Sequence, residues 1–215
     1  MDRSLRTRWA APLAVLLLAV GCREAANAGE AADAAPEQDA PATAVAQDIA
    51  CVPTASGDDL TGRASPYDSV RVQIGGQTAQ VCYSRPNMRG REIFGGLIPY
   101  DQLWRTGANE PTIIHLPVAA SIAGIAVEPG SYSIYTVPGA DQWQVVVNRS
   151  TSQWGHENRY TPEIEAQEVG RATVSATSIA EPIEQFTIRA EPAGDGSNVV
   201  LEWERTRVTI PITTG

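Results

Sequence analysis

The chain has 215 residues, 25 of them acidic and 16 basic, for a formal charge of −9, and every basic side chain is an arginine. An acidic balance without a basic stripe excludes the electrostatic footprint of a nucleic-acid-binding protein. The lack of lysine excludes Schiff-base and lysine general-base chemistry.

Arg3, Arg6 and Arg8 precede an uncharged run over residues 10–20, which ends in Leu18-Ala19-Val20-Gly21-Cys22. A basic head, a short apolar core and small residues before a cut describe a secretory signal peptide over residues 1–21. The core is well short of the roughly 20 apolar residues needed to span a bilayer. Its ending resembles the lipobox of bacterial lipoproteins. That resemblance implies that Cys22 is acylated, becomes the new N-terminus and anchors the chain through more than one lipid, as stable anchoring requires. Ordinary secretion, with cleavage near the same place, is the alternative. Arg23 rather than an aspartate follows the cysteine, which by the same analogy implies the outer membrane, facing the periplasm.

Residues 23–50 contain twelve alanines, and one arginine against six acidic residues, with no aromatic side chain. Such a composition cannot bury a core. It predicts a disordered tether over residues 22–50 with an end-to-end distance of roughly 30 Å.

The 165 residues from 51 to 215 suit one domain. Cys51 and Cys82 are the cysteines left after Cys22. An even remainder in an exported chain suggests a disulfide; two buried free thiols are the alternative. Val70, Val72 and Ile74 alternate with polar residues, Gly75-Gly76 turns the chain, and Ala79, Val81 and Tyr83 alternate again, which is a hairpin by period and turn chemistry. Further strands are expected over 112–116, 120–127, 131–137, 142–148, 171–178, 184–190 and 198–208. Pro129-Gly130, Pro138-Gly139 and Asp195-Gly196 supply the turn dipeptides. Thr161-Pro162-Glu163 is the one helix start, with threonine at the cap and proline at the first position. The pattern predicts an all-β antiparallel sandwich of eight or nine strands with little helix.

Residues 85–110 break the rhythm for 26 residues without a sustained period. So long a connection in a compact domain is usually functional or disordered. Ile93, Phe94, Leu97, Ile98, Tyr100, Leu103 and Trp104 give it much to bury, so an ordered excursion is expected. Within and around it, Tyr83-Ser84-Arg85-Pro86, Gly90-Arg91, Ile93-Phe94-Gly95, Pro99-Tyr100 and Trp104-Arg105-Thr106-Gly107-Ala108-Asn109-Glu110 resemble the bacterial domain of unknown function 2911 family. Pro129-Gly130-Ser131-Tyr132, Tyr135-Thr136-Val137-Pro138-Gly139, Gln153-Trp154-Gly155 and Leu201-Glu202-Trp203 extend the likeness over roughly residues 63–210. The chain departs from the family pattern at Cys82, where an acidic residue is expected, and at Asp101, where glycine is usual. The resemblance implies an exported, β-rich protein and assigns no activity.

Arg85, Arg91, Trp104, Arg105, Thr106, Asn109 and Glu110 are the candidate ligand-binding residues, because arginine offers five fixed donors suited to carboxylate or phosphate. The competing reading is structural: a long ordered loop needs side chains to satisfy its buried carbonyls. No catalytic motif, metal-site spacing or cofactor fingerprint is present. The expectation is a lipid-anchored, non-catalytic envelope protein that contacts the membrane through Cys22 and binds a small anion, a glycan or a protein. The alternatives are a passive assembly component, and a hydrolase using Glu110 with His115 or His156.

Overall fold

The computed structural model describes Cys51 and residues 62–215. The signal peptide, Cys22 and the tether expected over residues 1–50 lie outside the described residues. Nine strands follow in chain order: β1 (Tyr67–Ile74), β2 (Gln77–Ser84), β3 (Thr112–Leu116), β4 (Ala120–Ile122), β5 (Ile125–Val127), β6 (Gly130–Val137), β7 (Gln142–Asn148), β8 (Glu168–Ala193) and β9 (Gly196–Thr214). They form one antiparallel sheet in the order β1-β2-β3-β6-β7-β8-β9-β4-β5. The only α-helical turn among the described residues is α1 (Pro162–Glu165), with Thr161 at the N-cap position and Pro162 at the first position as expected, preceded by a 3-10 turn at Glu157–Arg159.

Turn chemistry sets the register. Ile74 faces Gln77 across Gly75-Gly76, and both glycines take positive φ, 55° and 78°. A two-residue turn that matches strand twist demands this conformation at both positions. The same geometry corrects the single strand expected over 120–127. Ala123 and Gly124 have φ of 50° and 88°, so Ile122 faces Ile125 and the segment is the β4–β5 hairpin. Alanine rarely adopts this conformation, so the turn carries only half of its usual signal. Between β8 and β9 the turn residues are Gly194-Asp195 rather than Asp195-Gly196, because Ala193 pairs with Gly196.

The strands expected over 171–178 and 184–190 are two halves of one, β8. Its first half pairs with β7, and from Ala176 onward it pairs with β9. The β8–β9 ladder shifts register at Ser178/Ile183 and Ile183/Thr187, and opposite that break Glu204 takes φ 54°. Such bulges bend a strand pair. The bend folds the sheet over its own core as a sandwich: the Gly75 amide reaches the Asp195 carbonyl at 2.7 Å, and Ser197 Oγ reaches the Gln73 carbonyl at 2.9 Å. Ile114 and Trp143 therefore share one cluster with Phe186, Trp203 and Ile210.

Part of the outer face is buried too. Cys82, Ile113, Tyr135, Val146 and Asn148 point away from the main core, yet all are buried. The segment after β7 covers them: Gln153 donates to Tyr135 Oη at 3.1 Å, Asn148 Nδ2 donates to the Ile164 carbonyl at 2.7 Å, and the Tyr135 and Tyr160 rings meet at 4.8 Å. Burial raises the Tyr135 hydroxyl to a pKa of about 12. Cys51 and Cys82 form the expected disulfide, with Cα atoms 5.6 Å apart, which ties the start of the domain to this face.

Candidate functional site

The 85–110 excursion is stitched to the sandwich along both limbs. Its first limb follows β8, with Phe186 N–H donating to the Pro86 carbonyl and Met88 N–H to the Glu184 carbonyl. Its second limb exchanges two backbone bonds between Trp104 and Thr136 on β6, at 2.7 and 2.9 Å. Between them the Glu204 carboxylate accepts from the Ile93 and Phe94 amides. Phe94 and Trp104 drop into the core against Trp143, Phe186 and Trp203, with ring centroids 4.8–6.1 Å apart. Edge-to-face pairs at this spacing add about 0.5–1.5 kcal/mol each beyond the area they bury. The excursion is thus a plug in one end of the sandwich.

Four of the seven candidate residues turn inward. Arg85 donates to the Phe186 carbonyl, Asp68 and Thr187. Glu110 is 2% exposed, and its oxygens accept from Arg63 at 2.8 and 3.1 Å. Burial, with the Glu110 charge adding to it, raises the neighbouring Tyr67 hydroxyl to about 12. Thr106 is buried with φ 55°, its hydroxyl 3.1 Å from that of Thr136, and the Asn109 amide lies 3.5 Å from Ser84 Oγ. These side chains hold the loop, as its buried polar groups require.

Arg91, Trp104 and Arg105 line a cleft of about 510 Å³ between the two limbs. Trp104 and Trp203, the apolar Leu97, Ile98 and Leu103, and the polar Arg89, His156 and Glu157 are among the residues that line it. Arg91 is half committed, donating through Nε and Nη2 to the Met88 and Asn87 carbonyls. Arg105 is different. Its Nη1 lies 3.6 Å from Glu157 Oε1, and both Nε and Nη1 are buried without a hydrogen-bond partner. Gly155 allows this approach. A Cβ there would sit 2.7 Å from Arg105 Cδ and 2.6 Å from the Asn109 carbonyl.

Glu157 and Trp203 are site residues that sequence reasoning missed. A faint signal existed: Gly155 before His156-Glu157 marks a close backbone approach, but nothing local says to which arginine. Of the paired groups weighed for hydrolysis, Glu110 is held by Arg63, His115 Nδ1 lies 2.7 Å from Ser131 Oγ, and His156 lies 3.5 Å from Glu157. Burial lowers the His115 pKa. Among the described residues, no three histidine, cysteine, aspartate or glutamate side chains converge as a metal cluster.

Fold and cleft together define an all-β antiparallel domain with a ligand-sized concavity built on an inserted loop. The model of a protein family of unknown function, DUF2911, matches residues 65–212, from just before β1 to near the end of β9, and the chain belongs to that family. No curated protein and no solved structure matches it.

Proposed function

We propose that this protein is a lipid-anchored, non-catalytic component of the cell envelope whose β domain binds a small anion in the cleft of the 85–110 excursion.

 The observation that carries this reading is Arg105. A buried guanidinium N–H without an acceptor costs about 1–3 kcal/mol, and two such groups lie on a side chain that lines the cleft. An anion supplies the missing acceptors. The charges lining the cleft favour one: Arg89, Arg91 and Arg105 stand against the single carboxylate of Glu157. A sugar is less well served, because Trp104 and Trp203 are 3% and 2% exposed and stack on each other, leaving no open ring face.

The anchor rests on the lipobox-like run ending at Cys22, followed by the alanine-rich acidic segment over residues 23–50. Labelled palmitate should enter the full-length protein and fail to enter the Cys22→Ser variant. Recovery of unlabelled protein wholly from the soluble cytoplasm would overturn the anchor. For the cleft, melting temperature should rise with added acetate, octanoate or inorganic phosphate. A ligand at 100 times its Kd stabilises by about 2.7 kcal/mol. The rise should vanish in Arg105→Gln. A folded protein that no anion stabilises would overturn the binding reading.

A further inference from the structure

We propose that the cleft takes an amphiphilic monocarboxylate, whose head group displaces Glu157 from Arg105 and whose apolar body lies along Leu97, Ile98 and Leu103. The proposal rests on the anion reading of the cleft and goes further, in naming the ligand class and the side chain that competes with it.

Three observations lead there. First, the Glu157–Arg105 contact is incomplete. At 3.6 Å it is an ion pair without a hydrogen bond, and Nη1 is left without an acceptor. Glu157 is 38% exposed and sits on a three-residue 3-10 turn that buries none of its own residues. Little packing holds it in place, so a better-placed carboxylate can replace it. Glu157 is then an internal stand-in for the ligand head.

Second, a head group alone does not fill the space. About 510 Å³ lies in the range that takes drug-sized ligands, and Leu97, Ile98 and Leu103 give its lining an apolar part. Leu97 is 47% exposed, one of three large apolar side chains open to solvent among the described residues. A hydrocarbon body laid against it removes that surface from water, which favours binding.

Third, the donor supply suits a single charge. Arg91 already gives two of its nitrogens to backbone carbonyls, and Arg89 Nη2 reaches the Ala64 carbonyl at 3.5 Å. A phosphate brings three strongly accepting oxygens and close to two charges. A carboxylate asks for fewer donors, which matches one under-satisfied guanidinium in a cleft that also presents apolar side chains.

The test is calorimetric titration of the full-length protein with octanoate, acetate, 1-octanol and inorganic phosphate. Octanoate should bind at least about tenfold tighter than acetate or 1-octanol, a difference of about 1.4 kcal/mol. Glu157→Gln should tighten octanoate severalfold by removing the internal competitor. Leu97→Ser, at an exposed position that does not threaten folding, should weaken octanoate and leave acetate unchanged. Arg105→Lys keeps the charge but loses the planar fork, and should weaken both carboxylates. Octanoate binding no tighter than acetate, or weakened by Glu157→Gln, overturns the proposal. Phosphate binding that depends on Arg105, with octanoate failing, overturns it while leaving the anion reading standing. No anion binding at all overturns both.

Discussion

At Asp101 the backbone adopts φ 60°, the left-handed conformation that a glycine accepts without strain and most other residues do not. Aspartate tolerates this region better than most residues do, which lets the chain turn here without a glycine. Asp101→Gly is therefore expected to be neutral or stabilising by up to about 1 kcal/mol, and Asp101→Val destabilising by about 1–2 kcal/mol; chemical denaturation measures both. Thr106 sits in the same region at φ 55° beside Arg105, and a β-branched residue there is a clear outlier. Its hydroxyl contact with Thr136 and its carbonyl, which accepts from Thr112 Oγ1 at 2.6 Å, hold it there. The neighbouring Arg63–Glu110 pair is bidentate and buried. Neutralising one partner weakens a buried charge pairing, so Glu110→Gln should lower unfolding free energy by up to about 3 kcal/mol without altering the cleft lining.

Elements are held together here by close approaches between loops as much as by ladders. Gly155 lets the 155–157 turn lie against Arg105 and the Asn109 carbonyl, with no room for a methyl group. Gly155→Ala must push the turn outward, and is expected to cost about 1–3 kcal/mol as an overpacked site. Because the turn carries Glu157, the same change should alter anion binding in titrations, where a purely surface turn would leave it untouched. The Cys51–Cys82 disulfide acts at the same scale, closing a separation of 31 residues onto the buried outer face of β2. Constraint of the unfolded chain predicts stabilisation of about 3–4 kcal/mol. Melting with and without reductant should show a loss of that order, reproduced by Cys51→Ser with Cys82→Ala.

Across the whole molecule, stability should fall with acid in two steps. Burial lowers the His115 pKa below 6.5, so its contribution is fully present above that value and fades as pH drops through its folded pKa. Glu202 lies between Arg189 and Arg207 on the β8–β9 ladder, and Arg189 chiefly holds its carboxyl below the usual 4.5. Burial of Glu168 works in the opposite direction, but hydrogen bonds from Arg171 and Tyr160 outweigh it and also leave its pKa lowered. Carboxylates shifted downward stabilise above their unfolded pKa and lose that contribution as pH falls through the folded value. Melting temperature should therefore be highest near neutrality, begin to decline below pH 6.5 and decline further below pH 4.5. His115→Asn should remove the first step, and Glu202→Gln should blunt the second.

Local information in the chain was enough for the strand periods, for the turns at Gly75-Gly76 and Thr161-Pro162, and for the ordered excursion over residues 85–110. Alternation and turn chemistry act between near neighbours, so a single stretch of sequence carries them. Long-range contacts decided the rest. Arg85 meets the Phe186 carbonyl across 101 residues, and Glu110 meets Arg63 across 47. Which arginine is consumed by scaffold and which faces the cleft depends on those partners. No local pattern separates Arg85 from Arg105; only the bend in β8 and β9, which folds the sheet over the excursion, gives one its carbonyl and leaves the other without an acceptor.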